Sequence, residues 1–500
     1  MDLTQKKNLL KTILEIKSPD EKVFLVGGGV RDQILGLPIH DLDFAIKNDP
    51  VELARQLANK LKVGFYVLDD LRHTARVVLK SKSEPATTLD FAKFRGSSIA
   101  ADLKSRDFTI NAMAVDLDHP TQIVDPLDGR GSLKDGQLRL CSPGALRDDP
   151  IRILRSIRFS LKFNLAIDSS LVKSLKRSAP WVLTPSKERQ RDELFQILNL
   201  DQVDEGIRML DGVGLIGLLF PPIPNLKEIL LPDPSPETVW DHTKKVIEGL
   251  RRIYGWVHSA VSGKVDNDLL GETFVISLKE FFPGLLEYLS RNIVADRNRR
   301  SLLAFAALLH DAGAKTCQAN DWDGSTRFYY LGKISSDIGL DIASRFALAN
   351  KEQEFIRRVV ANHSLPVTMT RSLYPLDKRS IYRFFQTTGD AGIAVCLLAL
   401  ADLLAIYDFS IPIEKWKEQL AIIKALFKAW WSESNEIVHI KPMLTGDDLK
   451  RQFSIQEGPQ IGSLLESLKE EQASGAIKTR VRAIAFMKRC IESGKWIKQG

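Results

Sequence analysis

The residues best suited to chemistry lie near the start of the chain, in Val26-Gly27-Gly28-Gly29-Val30-Arg31-Asp32 and then in Asp41-Leu42-Asp43-Phe44. A strand running into a glycine turn lets backbone N–H groups approach phosphate oxygens, and Gly27 and Gly28 stand where that approach would occur. Arg31, in the helix that follows, offers a guanidinium for phosphate pairing. Asp41 and Asp43 are two apart in a strand, so their side chains leave the same face and can hold Mg²⁺ through oxygen ligands. Metal ions held there would activate a hydroxyl and stabilise a leaving pyrophosphate. A glycine run or an isolated DxD carries little information alone. The two in this order, with an arginine between them, form a far more specific pattern.

Two further segments have polar residues at useful spacing. In Asp102-Leu103-Lys104-Ser105-Arg106-Asp107-Phe108-Thr109-Ile110-Asn111, the pair Arg106 and Asp107 precedes a strand. In Arg147-Asp148-Asp149-Pro150-Ile151-Arg152-Ile153-Leu154-Arg155-Ser156-Ile157-Arg158, a helix opening at Asp149 and Pro150 would set Asp149 beside Arg152, with Arg155 nearby. A planar guanidinium next to a carboxylate can read the Watson–Crick edge of a base: arginine donates to the acceptors of cytosine, and rearrangement of the pair suits adenine. For Arg158, base recognition competes evenly with a basic helix that is solvated or grips RNA phosphates.

These segments, with the turn Asp125-Pro126-Leu127-Asp128-Gly129, resemble the catalytic head of the class II tRNA nucleotidyltransferase and poly(A) polymerase family, within the polymerase-β-like nucleotidyltransferases. The resemblance implies an α+β chain, with a nucleotidyltransferase head built on a small mixed sheet, then a mainly α-helical neck, an HD-like domain and a tail. It implies catalytic Asp41 and Asp43 with Mg²⁺, and a nucleotide-binding set of Gly27, Gly28, Arg31, Arg106, Asp107, Asn111, Asp149, Arg152, Arg155 and Arg158. Within that set Arg106 and Asp107 stand near the ribose, and Asp149 with Arg152 selects CTP and ATP without a nucleic-acid template. The partners implied are CTP, ATP and the 3′ end of tRNA.

The chain departs from the family pattern in two places. Ser105 replaces the first of two arginines usual before the aspartate, and the stretch from Asp90 to Ser98 passes quickly to Asp102 where many members carry a long flexible loop. Full CCA addition, CC addition and A addition therefore all stay open. Asp90 reads equally as a third metal carboxylate or as a strand-face aspartate. Glu188 to Leu194 resembles the family's ERxxxE helix, where i,i+4 pairing and a structural role are expected.

A second constellation lies further on: His242, then His310-Asp311, and Asp402, with His363 between. These resemble the HD phosphohydrolase domain, and imply a second site for a divalent transition metal held by His242, His310, Asp311 and Asp402. The alternative is a relic whose polar groups hydrogen-bond within a helical core. Lys333 stands where related HD domains often have a histidine, which argues against a two-metal site if it faces the cluster.

The elements that must position these residues follow from periodicity. The first 140 residues or so read as short strands (Val23 to Val26, Leu42 to Ile46, Ala75 to Leu79, Thr87 to Phe91, Asn111 to Leu117) alternating with helices such as Pro50 to Lys60, after an amphipathic N-terminal helix. From Ser142 the pattern is helical, interrupted by proline clusters near 220–236. The organisation expected is a head over 1–140, a neck over 141–235, an HD-like domain over 236–410 and an RNA-contacting tail over 411–500. In that tail, Gly458-Pro459 opens an amphipathic helix suited to holding RNA phosphate or merely to packing.

Composition agrees with a multi-domain globular chain of 500 residues, 44% hydrophobic and 27% charged. The 70 Lys and Arg against 63 Asp and Glu leave a net charge of +7, which suits a polyanionic partner without demanding one. Cys141, Cys317, Cys396 and Cys490 are far apart, so neither a disulfide framework nor a cysteine zinc site is indicated, and a reducing cytoplasm is expected. No signal peptide and no membrane segment is expected, the apolar run Ala391 to Ile406 being short and carrying Asp402. The competing functions are a poly(A) polymerase, a metal-dependent HD phosphohydrolase with a vestigial head, and a catalytically silent RNA-binding protein.

Overall fold

The computed structural model describes residues 3–39, 41–79, 87–231, 237–264, 268–320, 326–372 and 376–493, so the proline-rich run 232–236 lies outside the described residues. The architecture is α+β: one mixed sheet near the N-terminus, and helices through nearly all the rest. The backbone divides into two compact units, Met1–Glu193 with Val213–Leu215, and Leu194–Gly212 with Ile216–Gly500.

The first unit is organised by a seven-stranded sheet of β1 (Val23–Val26), β2 (Asp41–Ile46), β3 (Gly64–Asp69), β4 (Thr74–Leu79), β5 (Thr87–Lys93), β6 (Ala114–Asp116) and β7 (Ile123–Val124), in the order β3-β4-β5-β2-β1-β6-β7. Only β2 and β5 run parallel; the other pairs are antiparallel. All four residues of β1 are buried, as expected for a short unbroken apolar run in a central strand. β3 falls at the edge, with Tyr66 and Leu68 exposed, and lacks the alternation that would mark it in sequence. The strand expected over Asn111 to Leu117 is only β6, because Thr109–Asn111 forms a 3-10 turn.

Helices Leu3–Ile16 and Pro50–Leu61 pack on one face of this sheet. Asp49 caps the second helix through Val51 N and Glu52 N, Pro50 takes the first turn, and Leu53, Ala54, Leu57 and Ala58 turn inward at helical spacing to join Leu42, Phe44 and Ile46 of β2. Burial of β2 on that face leaves Asp41 and Asp43 on the other. The arginine-rich helix spans Arg152–Phe163 and starts later than the expected opening at Asp149 and Pro150. Asp149 is extended (φ −148°, ψ 98°), as the clash between a proline ring and the residue before it favours.

In the second unit, helix Val239–Val261 crosses helix Gly392–Ile406 closely. A Cβ on Gly249 would lie 2.9 Å from the Ala401 carbonyl oxygen, so only glycine permits this approach. The contact sets the start of the first helix beside Asp402. Two small ribbons, Asn292–Val294 with Arg297–Asn298 and Gln318–Asn320 with Thr326–Phe328, interrupt the helices. The run Lys378–Ile406 is long and apolar enough to cross a membrane by length and composition, yet 72% of its apolar window is buried, as in a core helix. The last helices, Gly446–Phe453, Pro459–Ala473 and Arg480–Ser493, share a small core of Leu449, Leu464, Leu468 and Met487.

Candidate active site

The sheet brings the first candidate carboxylates together with the glycine turn. β1 ends at Val26, which is in register with Asp43 of β2, and the chain then turns through Gly27 at φ +73° into helix Gly28–Ile34. A Cβ on Gly27 would lie 3.1 Å from Asp43 Oδ2 and 3.2 Å from Arg106 Nη1. The turn therefore touches an acid on one side and a guanidinium on the other, and a side chain there would fill the space between them.

Parallel pairing of β2 with β5 sets Asp43 opposite Asp90 and Asp41 opposite Thr88. Thr88 Oγ1 donates to Asp41 Oδ1 at 2.5 Å. Asp90 is gripped by Arg76 of β4 through bonds of 2.7 and 2.8 Å, so its carboxylate is already paired. The Asp43 carboxyl is pushed up to about 6, chiefly by burial, with Asp90 and Asp41 adding repulsion and Arg106 and Arg76 opposing it. Crowded carboxylates with this unmet negative charge fit a hard divalent cation held through oxygen, and Asp41 and Asp43 are the residues that would hold it.

A second layer of side chains links the remaining candidates. Arg106 donates to Asp102 Oδ2 at 2.9 and 3.0 Å, and Asp102 also accepts from Arg95 N, so Arg106 is anchored while its Nη1 faces Gly27. Arg31 is only 6% exposed. Its guanidinium pairs with Asp32 at 2.7 Å, donates to Asn111 Oδ1 at 2.5 Å and lies 4.1 Å over the Phe163 ring. It therefore braces the turn from beneath. Asn111 Nδ2 donates to Asp107 Oδ1 at 3.2 Å, and Arg155 reaches Asp107 Oδ2 at 2.7 Å. Arg31, Asn111, Asp107 and Arg155 thus form one continuous polar chain across the floor of the site.

The expected side-by-side pair of Asp149 and Arg152 has a different geometry. Arg152 donates to the carbonyl oxygens of Ala145 (3.2 Å) and Ser105 (3.0 Å), while the Asp149 carboxylate accepts from Arg189 at 2.7 Å. Arg158 is bound by Glu193 at 2.7 and 3.2 Å and lies 4.2 Å over the Phe159 ring. Helix Lys187–Leu198 thus clamps the arginine helix through long-range pairs, where sequence spacing suggests i,i+4 pairs within it. The Asp125 to Gly129 turn is tied by Asp125, which accepts from Gly129 N and Arg130 N, and a Cβ on Gly129 would overlap the Thr109 carbonyl.

Arg76 and Thr88 belong to no local sequence motif, and only the fold joins them to the site. The available signal was cross-strand: a charged or hydroxyl residue in each of two strands on the face that carries the DxD.

The second constellation also assembles. His242 Nε2 lies 2.9 Å from Asp402 Oδ1, and His310 Nε2 lies 3.3 Å from Asp311 Oδ2 and 3.9 Å from Asp402 Oδ1. Ligand atoms of His242, His310 and Asp311 all fall within 4.8 Å of one another. His310 Nδ1 is bonded to the Ala307 carbonyl, which leaves Nε2 buried without a hydrogen-bond partner, and His242 Nδ1 faces Glu237 Oε1 at 3.7 Å, beyond hydrogen-bond distance. Burial lowers the His310 pKa. Burial also opposes charge on His242, but Asp402 and Glu237 outweigh it and raise that imidazole to about 10. Asp402 is held down to about 2, its burial overcome by His242 and His310. Orphaned imidazole nitrogens beside a carboxylate fit a borderline divalent metal. His363 stacks edge-on to His310 at 5.2 Å, and its Nδ1 is bonded to the Val360 carbonyl. Lys333 sits on the exposed side of helix Leu331–Arg345.

The chain is similar to known proteins. Residues 23–139 match the Poly A polymerase head domain, and residues 164–227 match the probable RNA and SrmB-binding site of polymerase A. The chain is 26% identical over 468 residues to a CC-adding tRNA nucleotidyltransferase of Geobacter sulfurreducens, covering 93% of this chain and 91% of that protein. It is 26% identical over 474 residues to an A-adding tRNA nucleotidyltransferase of Deinococcus radiodurans, covering 94% and 95%. Its fold is similar to that of the Thermotoga maritima CCA-adding enzyme complexed with tRNA, with a TM-score of 0.60 at 21% identity over 98% of this chain and 96% of that one.

Proposed function

We propose that this chain, a member of the tRNA nucleotidyltransferase and poly(A) polymerase family, adds C and/or A of the 3′-terminal CCA to tRNA from CTP and ATP, releasing pyrophosphate. The observation that carries the reading is the meeting of Gly27, Asp43 and Arg106 at one turn. A backbone without a side chain, an acid for metal and a cation for phosphate are what transfer of a nucleotidyl group requires at one point.

In this reading Asp41 and Asp43 hold Mg²⁺, which when bound supplies charge neutralisation at the α-phosphate and the attacking hydroxyl. The Gly27 and Gly28 backbone receives the triphosphate, and Arg106, expected beside the ribose, is proposed to pair with it because its Nη1 faces Gly27; Arg31, expected to pair with phosphate, is instead committed to Asp32 and Asn111. Arg31 acts from beneath through Asn111 and Asp107, and Arg155 steadies Asp107 beside the sugar. Asp149 and Arg152 read the base. That role requires Asp149 to exchange its Arg189 partner for the base edge. Arg158, locked to Glu193, keeps the helix that carries Arg152 and Arg155 in place.

The four-part organisation proposed is a head over 1–140, a neck over 141–235, an HD-like domain over 236–410 and a tail over 411–500 that grips tRNA. The HD-like cluster is proposed to hold a transition metal through His242, His310, Asp311 and Asp402, supported by the two orphaned imidazole nitrogens. A reducing cytoplasm suits four unpaired cysteines.

The test is nucleotide-resolved extension of tRNAs ending at the discriminator base, at C and at CC, with CTP, ATP or both. Additions that stop within CCA support the reading, and long adenosine tails on unstructured RNA would favour a poly(A) polymerase instead.

A further inference from the structure

Neighbouring strands of the first unit set one row of residues across the face that carries the candidate metal-binding acids. Arg76 of β4 is in register with Asp90 of β5, Asp90 with Asp43 of β2, and Asp43 with Val26 of β1, where the glycine turn begins. Asp90 therefore stands between a guanidinium on one side and a proposed metal ligand on the other. Two residues earlier on β5, Thr88 is in register with Asp41.

The three carboxylates on this face are braced in different ways. The Thr88 hydroxyl donates to Asp41 Oδ1, a neutral donor that fixes one oxygen and leaves the charge of the acid intact. Asp90 meets a cation instead. Arg76 Nε donates to its Oδ1 at 2.7 Å and Nη2 to its Oδ2 at 2.8 Å, so a planar fork takes both oxygens and offsets the charge. The side chains of this pair are 40% and 26% exposed, so its contribution to stability is small. Its larger consequence is for the acids beside it: while the fork holds, the face offers a metal two charged carboxylates and not three.

We propose, on the reading that Asp41 and Asp43 hold the head's metal, that Arg76 is a positioning residue for that metal: it draws Asp90 toward β4 and keeps it out of the ligand set. A Mg²⁺ held by one or two carboxylates retains positions for water and for substrate phosphate oxygens. A third free carboxylate would take one of those positions and add negative charge where a triphosphate must arrive. Arg76 thus acts through Asp90, by withholding a ligand that the strand register otherwise places beside Asp43.

The experiment uses Mn²⁺ as the probe, because paramagnetic resonance reads both its affinity and the number of water molecules bound to it. Mn²⁺ is titrated, with and without CTP, into the full chain and into Arg76→Gln, Arg76→Gln/Asp90→Asn and Asp41→Ala/Asp43→Ala. The last variant gives the Mn²⁺ bound outside the head, the HD-like cluster included. Without CTP, Arg76→Gln should bind the head's Mn²⁺ about fivefold tighter or more, with one fewer water ligand, as Asp90 takes that position. The variant Arg76→Gln/Asp90→Asn removes the pair with no change in net charge, and should return to the parent's affinity and hydration. Tighter binding by Arg76→Gln with unchanged hydration would mean that Arg76 acts through its charge alone. Loss of head binding in Arg76→Gln/Asp90→Asn would make Asp90 a ligand in spite of the fork. Either result overturns the proposal, as does parent-like binding by Arg76→Gln with the parent's melting temperature. If the parent binds no more Mn²⁺ than Asp41→Ala/Asp43→Ala in either condition, the metal reading itself fails and takes this inference with it.

Discussion

Arg189 donates to the Asp149 carboxylate at 2.7 Å across forty positions of sequence, so the acid proposed to read the base is held by a neighbouring helix. The pair is half exposed and contributes roughly 1 kcal/mol or less to stability. Its consequence lies in selection. Arg189→Ala should leave the melting temperature within a few degrees of the parent and change the ratio of CTP to ATP incorporation by up to about fivefold, the factor that about 1 kcal/mol represents. Unaltered discrimination would place Asp149 outside base recognition.

Glu193 holds Arg158 in a bidentate pair with both side chains largely buried. Glu193→Ala strands that guanidinium, and loss of one partner of a buried pair costs about 3 kcal/mol. Thermal unfolding of the first unit should shift down clearly. Glu193→Gln should recover part of the loss by accepting one of the two bonds.

At Gly27 the requirement is local. Its φ of +73° and the 3.1 Å approach of Asp43 Oδ2 to any Cβ both oppose a side chain. Gly27→Ala should cost about 1 to 3 kcal/mol in backbone strain. Its larger effect should be on KM for CTP and ATP, raised tenfold or more, because the methyl group occupies the proposed phosphate position. Steady-state kinetics at saturating tRNA would separate this from a folding defect.

Much of this arrangement was legible in the sequence, for physical reasons that differ by position. The DxD and glycine turn could be read because a strand alternates faces and because the two stand in order with an arginine between them, and β1 and β2 do bring them together. The HD-like residues were legible as types, but their convergence depends on the Gly249–Ala401 helix crossing, which no spacing encodes. The helix starts at Arg152 and not at Asp149 because Pro150 holds the residue before it in an extended conformation. Arg76, Thr88 and the partners of Arg158 and Asp149 were unreadable, since each contact is made across strands or helices far apart in the chain.

For the HD-like cluster, purified protein should bind one equivalent of a divalent transition metal such as Mn²⁺ or Ni²⁺. Asp402→Asn, which removes the charge that 2.9 Å away supports His242, should weaken that binding tenfold or more by calorimetry. Equal binding in parent and variant would leave the cluster as a hydrogen-bonded core.

The central claim is that Asp41 and Asp43 serve nucleotidyl transfer to the tRNA 3′ end. Its most direct measurement is incubation of the protein and of Asp41→Ala/Asp43→Ala with Mg²⁺, CTP, ATP and a tRNA ending at the discriminator base, with products resolved nucleotide by nucleotide. The parent should extend that tRNA, or one already ending in CC, by steps within CCA, and the variant should add nothing while keeping the parent's melting profile. Addition by the variant at the parent's rate, or no addition by the parent to any of the three tRNA ends, would contradict the account.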